Sequence, residues 1–111
     1  MRTYRIEDLA REHVERLARA LDARGQGSGM DGLYWFTLPP DLLSAEQMEH
    51  APDCGPHVLS LELLDDGLAL ELLVRARGRL RCSCVCYANP AQRAWGMDTV
   101  DALLRELDIP S

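Results

Sequence analysis

Apolar residues recur at helical spacing near the start of the chain. Ile6, Ala10, Val14, Leu17 and Leu21 form one stripe and predict an amphipathic helix over 6–24. Glu7 and Asp8 suit its positive end, Arg24 suits its negative end, and Gly25 is a fitting stop. Four of the eight glycines then fall within Gly25–Gly32, which predicts a mobile loop. Leu33–Leu38 predicts a strand, stopped by Pro39 and Pro40 and apolar on both faces. Ser44-Ala-Glu-Gln47 has the form of a capping box and predicts a short helix near 45–50, closed by Pro52.

The period then changes from helical to alternating. Leu59, Leu61 and Leu63 share a face over Val58–Leu64, and a turn at Asp66-Gly67 pairs them with Val74, Leu72 and Leu70. A three-residue loop, Ala76-Arg77-Gly78, would return the chain so that Val74 faces Leu80, Leu72 faces Cys82, Leu70 faces Cys84 and Leu68 faces Cys86. Asn89-Pro90 predicts a helix start, and Gly96 with Asp98 a break and a restart. Val100, Leu103, Leu104 and Leu107 give the last helix its apolar face. The expected architecture is a single α+β domain over 1–111. It has a four-stranded antiparallel sheet, the last three strands a meander, with N- and C-terminal helices packed on its leucine face.

Composition narrows the function. With 47% hydrophobic and 27% charged residues, the 111-residue chain has a folding composition. The net charge of -6 argues against nucleic acid, which needs phosphate neutralisation, and against an anionic membrane surface. All 12 basic residues are arginine, and four of them (Arg75, Arg77, Arg79, Arg81) fall on one predicted hairpin that carries none of the 18 acidic residues. Such a dipolar molecule can orient an encounter with a charged partner. The first residues lack a signal-peptide pattern, so the expected compartment is the cytoplasm, where Cys54, Cys82, Cys84 and Cys86 stay reduced.

On a strand, the thiols of Cys82, Cys84 and Cys86 would be spaced ~7 Å apart and ~13 Å end to end. Three thiolates so spread cannot all bind one zinc ion at ~2.3 Å. A metal site would need two of them together with Cys54, His57 or His50. The same strand geometry sets His57 roughly 16 Å from Cys82 and further from Cys84 and Cys86. The cysteines are therefore expected as small core residues among leucines. Cys54-Gly-Pro-His57 precedes a strand instead of opening a helix, and reads as a turn and not as a redox motif. Gly25–Gly29 leaves a helix and enters a strand, the reverse of a phosphate-binding loop.

No nucleophile, base and orienting group fall into a catalytic arrangement, so the chain reads as a non-enzymatic binding or accessory module. The first expectation is a protein partner or a second copy, met through a sheet face and the arginine hairpin with no cofactor. The residues expected there are Tyr34, Phe36, Leu73, Arg75, Arg79, Arg81, Val85 and Tyr87. The alternative is a thiolate zinc-binding protein, with Cys54 and two of Cys82, Cys84 and Cys86, His57 nearby. A second alternative is a small enzyme with a pocket beside the glycine loop, near Trp35 or Trp95.

Overall fold

The computed structural model describes every residue from Met1 to Ser111. Its elements are β1 (Thr3–Ile6), α1 (Arg11–Ala23), β2 (Leu33–Thr37), α2 (Ala45–Cys54), β3 (His57–Leu64), β4 (Gly67–Glu71), β5 (Leu73–Ala76), β6 (Cys86–Tyr87) and α3 (Pro90–Glu106). The expected α+β class with an antiparallel sheet is present, but the sheet has six strands instead of four.

The six strands form four rows. β2 lies on one side of β3, while β4 and β5 follow each other along its other side. The outermost row is shared by β1, on β4, and β6, on β5. Leu72 falls between β4 and β5 and ties both outer pieces to the sheet. Its N–H donates to the Arg2 carbonyl at 2.9 Å, and its own carbonyl accepts from Ala88 N–H at 2.8 Å.

Strand β1 replaces the start of the expected first helix. Ile6 pairs with Leu68 in the sheet, and Asp8 takes a left-handed φ of 61° as the chain turns toward α1. A four-residue strand holds only two inward positions, Tyr4 and Ile6, and Ile6 also extends the helical stripe of Val14, Leu17 and Leu21. Downstream, α1 ends as expected. Gly25 has φ 71°, and the N–H groups of Gly25 and Gln26 bond to the carbonyls of Asp22 and Leu21, a Schellman closure.

The tight turn between β3 and β4 uses Asp65 and Asp66, so Leu64 faces Gly67 and Leu61 faces Leu70. This is two residues out from the expected register and leaves every leucine on its expected face. Past Leu72 the expected offset returns, with Val58 opposite Arg75 and His57 opposite Ala76. Gly67 is a strand residue lying against β1: a Cβ there would collide with the Ile6 carbonyl oxygen.

Tyr4, Ile6, Tyr34, Phe36, Leu59, Leu61, Leu68, Leu70, Leu72 and Val74 form one apolar face with Val14, Leu17 and Leu21 of α1 and Val100, Leu103 and Leu104 of α3. Each fully buried leucine there contributes about 1.5–3 kcal/mol. The expected break at Gly96 does not occur, and α3 is continuous. Gly96 instead lets the helix approach the sheet, since a Cβ would lie 2.7 Å from Leu59 Cδ1 and 3.0 Å from Leu70 Cδ2.

Candidate metal site

Helix α2 starts where its capping box places it. Gln47 N–H donates to Ser44 Oγ at 3.2 Å, and Ser44 N–H donates to Gln47 Oε1 at 2.9 Å. It does not stop at Pro52. A proline in the last turn removes one backbone donor, and the helix still closes through Gly55 N–H to the Ala51 carbonyl at 2.9 Å. The extra turn puts His50 and Cys54 at i and i+4, on one side of the helix.

The second segment of the site comes from 77–85, which is an irregular loop and not the expected strand. Its path is fixed against the end of α2 by Arg77 N–H to the Pro56 carbonyl at 3.0 Å and Gly78 N–H to the Cys54 carbonyl at 2.8 Å. Glycine is required at this approach, because a Cβ on residue 78 would sit 2.8 Å from the Gly55 oxygen and 2.9 Å from the Asp53 oxygen. Held there, the chain cannot fold back along β5 as expected, and only Cys86 and Tyr87 pair, with Val74 and Leu73. Leu80 is thus 86% exposed instead of facing Val74.

The result is a cluster absent from the strand picture. His50 Nδ1 and the sulfurs of Cys54, Cys82 and Cys84 all lie within 4.8 Å of one another. His50 Nδ1 is 3.0 Å from Cys82 Sγ and 4.0 Å from Cys54 Sγ. Cys54 and Cys84 are buried, while His50 and Cys82 are half-buried. Sulfurs bound tetrahedrally to one zinc ion at ~2.3 Å are roughly 3.8 Å apart, so these four side chains can hold a metal with small adjustments. Three soft sulfurs and one imidazole suit zinc.

The electrostatics divide the thiols. The backbone N–H of Cys84 and the thiol beside it draw Cys82 down to about 6, which favours its thiolate form. Burial pushes Cys84 up to about 12 and also raises Cys54, with Arg79 pulling Cys54 the other way. The hydrogen bond to Cys82 raises His50. Crowded thiols at the end of a helix are the costly arrangement that a dication relieves by replacing their protons.

His57 was expected far from the cysteines, but its Nε2 lies 3.4 Å from Cys84 Sγ. Cys86 is exposed and outside the cluster, with its sulfur 3.6 Å from Gln47 Nε2. A buried amide relay supports the cysteine loop from behind. Gln92 Nε2 donates to Gln47 Oε1 at 2.9 Å, and Gln47 Nε2 donates to the Cys84 carbonyl at 3.3 Å. Both glutamines also complete capping boxes, so the starts of α2 and α3 and the cysteine loop form one network.

The residues expected at a binding surface are dispersed. Tyr34 and Phe36 are 6% and 2% exposed and belong to the core. Their neighbours Leu33 and Trp35 face the other side of the sheet, which residues 39–56 leave uncovered because α2 joins α3 on the helical side. Arg75 makes a two-pronged ion pair with Glu71, at 2.7 and 3.1 Å. Arg79 and Arg81 are exposed, Leu73 lies opposite Tyr87, and Val85 packs on the cysteine cluster. The uncovered face carries a hollow of about 510 Å³ over Trp35, Ser60 and Ala69, flanked by Met30 and Leu80. A smaller hollow of about 330 Å³ does border the glycine loop, lined by Arg24, Gln26, Thr37 and Arg77, without a thiol, imidazole or carboxylate.

Comparison with protein-family models, curated proteins and solved structures finds no match to this chain. No helix is long and apolar enough to cross a membrane.

Proposed function

We propose that this protein is a thiolate zinc-binding domain, with His50, Cys54, Cys82 and Cys84 as the ligands. The observation that carries this reading is the convergence of four ligand atoms within 4.8 Å from two separate chain segments. Four protein ligands leave no open coordination position, the arrangement of structural zinc. The ion's role would be to fasten loop 77–85 to the end of α2, where the backbone supplies only a few hydrogen bonds. The test is native mass spectrometry of protein purified without chelator, followed by zinc titration of the stripped protein. One zinc per chain is the expected result, and a chain that takes up none under reducing conditions refutes the proposal.

A second reading concerns the uncovered sheet face. Met30 and Leu80, which line the hollow over Trp35, are 60% and 86% exposed. Exposed apolar side chains around a concavity are typical of contact surfaces, which supports a protein-binding role for this face. L80D combined with M30D would then abolish capture of the partner without lowering stability. Unchanged binding would remove this reading and leave the zinc reading intact.

A further inference from the structure

His57 opens β3 opposite Ala76 and is 2% exposed. One ring nitrogen, Nε2, faces Cys84 Sγ at 3.4 Å. The other, Nδ1, is the single buried side-chain nitrogen or oxygen in the protein with no hydrogen-bond partner. A buried unpaired polar atom weakens a fold, and phenylalanine would fill similar space without it. As packing alone, this histidine is a poor choice.

As a partner for a metal-bound sulfur it is a good one. A thiolate only accepts hydrogen bonds. The tautomer with its proton on Nε2 donates to Cys84 and leaves a bare acceptor unpaired at Nδ1. The opposite tautomer would strand a buried N–H and aim a lone pair at the sulfur. Three thiolates and one dication also leave a net charge of -1, and Cys84 is the most deeply buried of the cysteines, at 0% exposed. A donor aimed at that sulfur goes where solvent cannot help.

We propose that His57 is a positioning residue of the metal site, donating Nε2–H to the Cys84 thiolate, fixing its direction and drawing off part of its charge. The inference rests on the zinc reading above. Such supporting donors are typically worth 10–100-fold in metal affinity.

The experiment compares wild type, H57F and H57Q, whose amide can reach the position of Nε2. Zinc affinity is measured against a chromophoric chelator, and cobalt-loaded protein is examined for its thiolate-to-metal charge-transfer band. H57F should bind zinc about 10–100-fold more weakly and shift the band to lower energy, since a sulfur without its donor gives up electrons more readily. H57Q should restore both. Metal-free H57F should be at least as stable as metal-free wild type, an opposite sign that packing alone does not produce. If H57F does not fold, H57N, with an amide too short to reach the sulfur, replaces it against H57Q. Wild-type affinity and band position in H57F would overturn the inference while the zinc reading stands. A wild-type chain that binds neither zinc nor cobalt would overturn both.

Discussion

The guanidinium carbon of Arg77 lies 3.9 Å from the ring centre of Trp35. Trp35 belongs to the uncovered face of β2, and Arg77 begins the loop that carries Cys82 and Cys84. The loop is thus anchored twice, by the Cys/His cluster on the helical side and by a cation–π contact on the open side. If zinc fills the cluster as proposed, removing it should loosen both anchors. In a W95F background, where Trp35 is the remaining tryptophan, EDTA should change the fluorescence emission, and R77A should cancel that change. R77A alone should cost about 0.5–1 kcal/mol in a urea titration.

The four cysteines should separate by location. C54S, C82S and C84S should each lose stoichiometric zinc, because each removes a cluster ligand. C86S should retain it, since Cys86 is exposed and stands outside the cluster, its sulfur accepting from Gln47 Nε2. Zinc at 100 times its dissociation constant should stabilise the wild type by about 2.7 kcal/mol and the ligand variants far less. Thermal melts with and without zinc would read this directly, and a C86S protein devoid of metal would contradict the ligand assignment.

Two glycines should resist replacement for reasons unrelated to flexibility. G96A improves helix propensity by about 1 kcal/mol, yet places its methyl against Leu59 and Leu70, both fully buried. Overpacking of this kind costs about 1–3 kcal/mol, so the variant should be no more stable than wild type and G96V much less so. G67A meets backbone, the Ile6 carbonyl, and should dislodge β1. Faster amide exchange in residues 3–6 of that variant is the expected observation.

The Tyr4 hydroxyl donates to Asp101 Oδ1 at 2.7 Å, tying β1 to α3. The bond to Asp101, with partial burial, raises Tyr4 from its ordinary 10 to about 12. A raised value means that the fold favours the protonated phenol. Its contribution is complete below pH 10 and is lost as pH rises through about 12. On this partly exposed ring, solvent screening holds the effect to about 1 kcal/mol. Y4F should therefore be less stable than wild type near about pH 8, and the gap should narrow above about pH 11.

Local signals in the sequence were legible. The capping box at Ser44–Gln47, the helix start at Asn89-Pro90, the helix stop at Gly25 and the alternating leucines each depend on residues a few positions apart, and all are present. What was hidden depends on distant partners. Leu80, Cys82, Cys84 and Cys86 alternate as a strand would, but residues 77 and 78 are bonded to Pro56 and Cys54, which leads the chain away from a hairpin path. Pro52 marks a helix stop when read alone, which concealed the i,i+4 relation of His50 and Cys54. That spacing, joined to Cys82-x-Cys84, was the available signal for the site.

Leu72 imposes an order on how the chain can assemble. Its two backbone groups recruit Arg2 on one side and Ala88 on the other, pieces from nearly opposite ends of the sequence. The β3–β4 hairpin needs only its own tight turn and can form early, whereas both outer pieces must close long loops to arrive. During synthesis, Thr3–Ile6 has no strand to join until Glu71 has been made, and the β5 edge stays bare until Tyr87 follows. Chains interrupted between these points would present an unpaired β5 edge, and a leucine face not yet covered by α3, to one another. Growing polypeptides of this protein should thus be most aggregation-prone midway through their production and safest once α3 is complete.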